Sequence, residues 1–212
     1  MAVIVPSYVE SLVILAVKTD LGGTEYVEAD LDTKDHASGP FDEVVFNVGY
    51  AKGASPIAGG ALTIKVYVST DGGATRDQLG LLHDFDPFPD DTETAVDADS
   101  ASAQKVLNVT ATTPFAVGDL VLIDHDASGG GREWGQIASI SAGVSITLED
   151  NLTNTHTAVQ ADTVKVWQTF PIAMSCGAIS FIRLRLENDD TDSADDCIVK
   201  IDATGRKGYT ST

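Results

Sequence analysis

Apolar and polar residues alternate along several stretches of this chain, most clearly between Phe41 and Gly73. In the first of two runs, one side carries the large apolar residues Val44, Phe46, Val48 and Tyr50. In the second run, the apolar side carries Leu62, Ile64, Val66 and Val68. A period of two with one apolar side is typical of a strand half-buried in an antiparallel sheet. The pattern therefore predicts two scaffold strands, with a tight turn at Thr70 to Gly73 after the second.

Further strands are predicted towards both ends of the chain. Residues 11–17 and 24–31 flank Gly22-Gly23 and are interpreted as a hairpin. Residues 79–83 form another short apolar run. Residues 180–186 and 197–201 are predicted to pair as a second hairpin across the acidic tip 187–196. No segment carries the apolar stripe of a helix, so the pattern predicts an all-β chain.

The middle of the chain differs from both ends. Residues 84–102 are rich in aspartate and small residues and contain Pro87 and Pro89, which predicts a solvated linker. From 105 to 167, short apolar runs recur about every 8–12 residues, the spacing of a small barrel or sandwich. The C-terminal piece, roughly 45 residues long, has too few strands to bury its own apolar face. We therefore predict a discontinuous, jelly-roll-like antiparallel β-sandwich from 1–96 and 168–212, with 97–167 as an inserted small β-domain.

The charge of the chain narrows its possible partners. The sequence has 32 acidic residues against 13 Lys and Arg, a formal net charge of −19. Such a surface repels phosphate backbones and anionic lipids, so neither nucleic acid nor membrane is expected as a partner. The apolar run Leu12 to Val17 is too short for a membrane span and lacks the basic region of a signal peptide. The protein is expected to be soluble and made in the cytoplasm.

Aspartate-rich segments are the candidate metal sites. Asp190, Asp192 and Asp195 lie in one acidic tip and offer the oxygen ligands that Ca²⁺ prefers. The turn glycine and closing glutamate of an EF-hand are not in place. A solvated hairpin tip explains the same residues, and the aspartates of 84–91 have the same two interpretations. No cofactor is predicted.

Patterns typical of catalysis are incomplete. Residues 69–76 nearly match the Asp-box S-x-D-x-G-x-T-W of sialidase propellers, but Arg76 replaces the tryptophan and only one copy occurs. An ordinary tight turn also favours Asp and Gly at these positions, so a turn explains the motif without a sialidase-like fold. The sequence has no nucleophile elbow and no P-loop. The carboxylates are too numerous to single out a glycosidase pair, so we expect no enzymatic activity, with a glycoside hydrolase as the weakest alternative.

Histidines, cysteines and aromatic residues complete the candidate chemistry. His36, His83, His125 and His156 have no zinc-ligand spacing with the two cysteines. Cys176 and Cys197 are expected to be free, buried thiols. Trp134, Trp167 and Tyr67 are either sugar-stacking residues or core and interface anchors. A carbohydrate-binding module therefore stays open as an alternative function.

Three segments share an order with a known kind of protein. Leu31-Asp32-Thr33 is followed by the alternating run Phe41 to Gly49 and then by Ile64 to Gly73, which ends in the turn S-x-D-G. Near the C-terminus, Phe181 to Leu186 is a strand before the last strand and a short tail. This arrangement resembles the small β-sandwich virion proteins of tailed bacteriophages. Phe115 to Val121, taken with 146–148, is similar to small β-domains inserted in phage head and tail proteins.

The resemblance implies a capsid decoration, or cement, protein. Such proteins are commonly homotrimers set on the outer surface of the phage head, where they bind the major capsid protein. The resemblance supplies no catalytic residues. A neck, tail or fibre component of the virion is the alternative within the same class.

Overall fold

The chain folds into β-strands joined by turns. A computed structural model describes residues 7–8, 12–22, 24–34, 40–52, 62–75, 77–85, 93–124, 131–188 and 196–207. Strands β1 to β7 span Ser7–Tyr8, Leu12–Gly22, Tyr26–Asp32, Glu43–Lys52, Leu62–Ser69, Asp77–Phe85 and Glu93–Ala95. Strands β8 to β15 span Val106–Asn108, Leu120–Asp124, Glu133–Ser141, Ser145–Leu148, Thr163–Val166, Gln168–Ser175, Phe181–Asn188 and Asp196–Lys207.

The all-β prediction is confirmed. Within the described residues the one helical element is a single 3₁₀ turn at Ala158–Gln160. Antiparallel pairing joins the strands of three sheets. None of the helical structure in these ranges is long and apolar enough to cross a membrane.

The chain divides into two compact units. The first combines Met1–Pro87 with Thr169–Thr212, and the second is Phe88–Gln168. The predicted boundary at residue 96 is therefore too late, because β7 belongs to the sheet of the second unit, where it pairs with β12. The linker prediction for 84–102 is wrong over residues 93–102, since Thr94, Val96 and Ser100 are buried there. Backbone pairing orders this segment although it offers few apolar side chains.

The first unit contains two sheets that pack together as a sandwich. The five-stranded sheet has the order β1-β15-β4-β13, with β2 also paired to β15, and the four-stranded sheet has the order β3-β14-β5-β6. The predicted inward side of β4 is buried along its whole length, from Val44 to Tyr50. Leu62, Ile64 and Val66 of β5 are also buried, whereas Val68 is half-buried. The alternation in the sequence therefore correctly predicts which side of these strands faces the core.

Both predicted hairpins are wrong. The strands β2 and β3 lie in different sheets, because β2 pairs with β15 and β3 pairs with β14. The strands β14 and β15 are separated in the same way, with β14 between β3 and β5 and β15 between β2 and β4. Consecutive strands with one apolar side can meet edge to edge in one sheet or face to face across a sandwich core. The two strands of each predicted hairpin lie in opposite sheets of the sandwich.

The second unit is a small barrel. Its six strands have the order β7-β12-β9-β10-β11-β8, and a backbone bridge between Val96 and Val109 joins the two end strands. The amide of Thr110 donates to the Ala95 carbonyl at 3.0 Å beside this bridge. Eleven buried apolar residues fill the interior: Val96, Leu107, Val109, Phe115, Val121, Ile123, Ile137, Ile146, Leu148, Leu152 and Val164. Among the described residues of this unit, the bridge pairs the two end strands, so the sheet closes into a ring.

Candidate functional site

The turn at 69–75 of the first unit uses its own polar side chains. The Ser69 hydroxyl oxygen accepts from the amides of Asp71 (3.2 Å) and Gly73 (2.9 Å). The Asp71 carboxylate accepts from the amide and the hydroxyl of Thr75, at 2.9 and 2.7 Å. The Ser69 hydroxyl also donates to the Asp71 carboxylate. This bond first, and then the bonds from Thr75, lower the pKa of Asp71 well below its usual value. Gly72 and Gly73 adopt positive φ angles of 73° and 89°, which glycine tolerates without strain.

Ser180 fixes this turn to the neighbouring strand. Its amide donates to the Ser69 carbonyl at 2.8 Å, and its hydroxyl lies 2.9 Å from the amide of Gly72. The motif that resembles an Asp-box is therefore engaged in the hydrogen bonds of the turn itself. This arrangement is architectural and presents no activated group.

A buried histidine lies between two carboxylates in the second unit. His156 is fully buried, with its Nδ1 3.0 Å from Asp162 Oδ2 and its Nε2 2.6 Å from Glu133 Oε1. Asp162 also accepts from the Thr157 amide at 3.0 Å, and Glu133 accepts from the amides of Thr153 and Asn154. Ionised carboxylates only accept, so both histidine bonds form together when each ring nitrogen carries a proton. The cluster ties the segment 152–162 to β10.

The sequence gives no local signal for this cluster. Glu133 is separated from His156 by 23 residues, and only the barrel brings the two side chains together. Sequence motifs for metal ligands and ion pairs extend over short distances, so His156 has no recognisable partner in the sequence alone. Across the described ranges, no group of three or more His, Cys, Asp and Glu is arranged to hold a metal ion. Each His156 nitrogen is already bonded to a carboxylate, so the cluster is a structural clamp.

The two tryptophans meet on the outside of the barrel. In the register of the sheet, Trp134 of β10 lies opposite Leu122, and Leu122 lies opposite Lys165. The rings of Trp134 and Trp167 pack edge to face, with centroids 5.6 Å apart and an interplanar angle of 81°. Trp134 is 40% exposed, while Trp167 is buried. We call this side of the barrel the aromatic face and define it by Leu120, Leu122, Trp134, Gln136, Lys165 and Trp167.

Paired charges surround the aromatic face. The Arg132 Nε donates to Asp124 Oδ1 at 2.6 Å. The Lys165 ammonium is nearly buried, 3.7 Å from a carboxylate oxygen of Asp124 and 3.7 Å from one of Glu93. A buried cation of this kind is tolerated because carboxylates face it. The sequence singled out the two tryptophans together with Tyr67, but it did not indicate the ion pairs beside Trp134 and Trp167.

The outer side of the four-stranded sheet carries most of the ion pairs described in the first unit. Arg183 of β14 donates to Asp30 and also pairs with Glu28 of β3. Arg185 lies over the ring of Tyr26, with its guanidinium carbon 3.6 Å from the ring centroid. Lys65 of β5 bonds to Glu187. We call this side, formed by Tyr26, Glu28, Asp30, Asp32, Lys65, Tyr67, Arg183, Arg185 and Glu187, the charged face.

The remaining predicted residues are placed as follows. The calcium candidates Asp190, Asp192 and Asp195 lie outside the described residues, as do His36 and His125. Tyr67 belongs to the first unit, whereas Trp134 and Trp167 belong to the second. Cys176 and Cys197 are free and buried, as predicted. Burial, together with the nearby carboxylates of Asp42 and Glu43, raises the pKa of Cys176 to about 11.

These features establish the structural class of the protein and do not by themselves indicate an activity. The protein is an all-β chain of antiparallel sheets, and the polar side chains described above take part in a turn, a clamp and ion pairs. A scan against protein-family models finds no match for this chain. A search of the curated proteins also finds no relative.

Proposed function

We propose that the chain is a non-enzymatic structural protein of a bacteriophage virion, a capsid decoration or cement protein. It forms a homotrimer and binds the outer surface of the phage head through the major capsid protein. The alternative within the same proposal is a neck, tail or fibre component. The resemblance of three strand-and-turn segments to β-sandwich virion proteins carries this proposal.

The residues that carry the resemblance are those that hold the sandwich together. Thr33 is fully buried, and its hydroxyl donates to the Ile179 carbonyl at 2.7 Å. Phe41 and Phe46 are core residues, and the S-x-D-G turn is the hydrogen-bonded turn at Ser69. A likeness made of core and turn residues reflects the architecture of the sandwich and includes no catalytic site. It therefore supports a structural role more than a catalytic one.

The charge distribution supports assembly through a particular surface. Copies that each carry a charge of −19 repel one another unless they meet through surfaces of low charge. On the charged face, three cations lie among four carboxylates, which leaves a net charge of −1. Tyr26 is 52% exposed there and stacks on Arg185, and exposed Tyr with Arg is typical of interface anchors. The charged face is our proposed contact surface.

Two measurements on the purified chain test this proposal. Light scattering after size exclusion is expected to give a mass about three times the 22.2 kDa of one chain. Co-sedimentation with empty phage heads is expected to retain the protein. Tyr26→Ala is expected to weaken one or both by about tenfold, the effect of removing a moderate interface anchor. The control Val159→Ala, at a residue 93% exposed in the barrel, should change neither.

Three results would contradict parts of this proposal. A monodisperse monomer that does not sediment with heads contradicts the decoration proposal. Trimers that Tyr26→Ala leaves unchanged, with head binding also unchanged, contradict the assignment of the charged face. Turnover of a polysaccharide by the wild-type chain contradicts the non-enzymatic proposal.

A further inference from the structure

The aromatic face of the barrel combines exposure with fixed geometry. Trp134 is 40% exposed and Leu120 is 42% exposed, whereas Leu122, which lies opposite Trp134 in the sheet, is fully buried. The edge-to-face packing on Trp167 holds the Trp134 ring in one orientation. The Nε2 of Gln136, two residues after Trp134 and on the same side of β10, donates to the Gly118 carbonyl at 3.1 Å, which fixes this polar amide. A ligand would therefore meet a preformed apolar surface with polar groups at its border.

The charges near this surface favour a neutral ligand. Two cations, Arg132 and Lys165, are balanced by two carboxylates, Asp124 and Glu93. Residues 88–168 as a whole contain 12 acidic residues and 3 basic ones, a net charge of −9. An anionic ligand would be repelled by the rest of the barrel. The cations by the aromatic face are already paired, so they add no net attraction for an anion.

The exposed apolar area of the aromatic face indicates whether it suits a small ligand or a protein partner. A tryptophan contributes up to about 250 Å² of contact area, so the exposed part of Trp134 offers roughly 100 Å². Leu120 raises the apolar area to roughly 200 Å². A stable protein interface needs about 800 Å² on each partner. The aromatic face alone is too small for a second copy, but it matches the flat face of one or two sugar rings.

We propose that the aromatic face of the barrel binds a neutral oligosaccharide. The ligand class is hexoses with equatorial substituents, of the glucose or N-acetylglucosamine type, because their axial C–H groups form a flat apolar face that stacks on an indole ring. Arg132 and Gln136 supply hydrogen-bonding groups to the hydroxyls at the border. This activity is separate from the structural role and does not depend on it. It would let a virion-bound chain hold the particle near a glycan-covered surface.

Isothermal titration of the full chain with a soluble cello-oligosaccharide and a chito-oligosaccharide, each of six sugar units, tests this proposal. For stacking on a single tryptophan we expect a dissociation constant on the order of 1 mM for at least one of them. Trp134→Ala should weaken that binding at least tenfold, whereas Trp134→Phe should retain most of it. The control Val159→Ala changes a residue of the barrel that is 93% exposed and lies outside the aromatic face, and it should bind as the wild type does. An anionic galacturonate oligomer of the same length should not bind.

Each alternative outcome counts against the proposal. No binding of either neutral ligand at 10-fold the expected dissociation constant overturns it. Equal binding by Trp134→Ala and the wild type places any glycan site elsewhere and also overturns it. A Trp134→Ala variant that changes the oligomeric mass while the wild type binds no sugar would assign the aromatic face to a protein contact instead. None of these outcomes depends on head binding, so the proposed structural role fails or stands separately.

Discussion

Substitution of His156 by alanine should destabilise the barrel strongly. The imidazole separates two carboxylates, at 3.0 Å from Asp162 and 2.6 Å from Glu133. The Asp162 side chain is 0% exposed, so the loss of the imidazole leaves a carboxylate that water cannot reach. Breaking a buried pair by removing one partner costs about 3 to 5 kcal/mol of unfolding free energy. A domain with a total stability of about 5 to 15 kcal/mol would lose a large share of it.

The partners that remain keep the expected loss within that range. Asp162 still accepts from the amide of Thr157, and Glu133 still accepts from the amides of Thr153 and Asn154. Glu133 is 12% exposed, so water reaches it and screens its charge. The penalty therefore falls mainly on Asp162. The double variant His156→Ala/Asp162→Ala should be more stable than the sum of the two single losses predicts, by about 1 to 3 kcal/mol.

Urea unfolding followed by tryptophan fluorescence is the appropriate assay. The chain has two tryptophans, and both lie in the second unit, so the signal reports on the barrel. The free energy of unfolding is obtained by linear extrapolation for the wild type, both single variants and the double variant. Asp150→Asn is the matched control, because this exposed carboxylate lies close to the same segment. It should change the free energy by less than about 0.5 kcal/mol.

Either of two results would contradict a strongly stabilising role for His156. One is a loss below about 1 kcal/mol for His156→Ala, which is the value of an ordinary hydrogen bond rather than a buried ion pair. The other is full additivity in the double variant, which would mean that His156 and Asp162 do not stabilise each other.

Three further predictions concern the sandwich. Gly205→Ala should cost about 1 to 3 kcal/mol in thermal unfolding followed by circular dichroism, because an added Cβ would overlap the ring of Phe41; an unchanged midpoint would contradict this packing. Neither Cys176 nor Cys197 should react with a thiol reagent at pH 8 until urea is added, since both are buried and the pKa of Cys176 is raised to about 11; rapid labelling of the folded chain would contradict this. The folded-state pKa of Asp71 is lowered, so its carboxylate stabilises the fold above about pH 4 and this contribution is lost as the pH falls further. The stability difference between wild type and Asp71→Asn should therefore shrink between pH 6 and pH 2, and a constant difference would contradict the assignment.

The sequence pattern predicted strands better than it predicted their partners. The period of two correctly identified the buried side of β4, because burial of one side depends only on local alternation. It did not show that β14 and β15 lie in different sheets, since both edge-to-edge and face-to-face packing bury the same residues. The expectation of free, buried cysteines is confirmed. Cys197 lies in the five-stranded sheet, next to the Leu21 carbonyl in β2.

The candidate sites also depend on tertiary contacts that the sequence pattern does not reveal. Composition suggested that 84–102 is solvated, yet β7 begins at Glu93 and completes the ring of the barrel. Three residues in register, of which Glu93 is charged, were enough, because backbone pairing with β12 supplies most of the order. The His156 clamp depends on residues from separate strands, so no short motif predicts it. The exposure of Trp134 likewise depends on tertiary structure, because tryptophan occurs both in protein cores and at surfaces that bind partners.

The measurement that tests the structural proposal most directly is an electron cryomicroscopy map of intact particles of the phage that, under this proposal, encodes the chain. The proposal predicts density on the outer surface of the head that fits the sandwich, in groups of three around local symmetry axes. The same density should disappear from particles assembled without the chain. A map in which the two kinds of particle are identical, with the chain absent from the purified wild-type particles, would contradict the proposal.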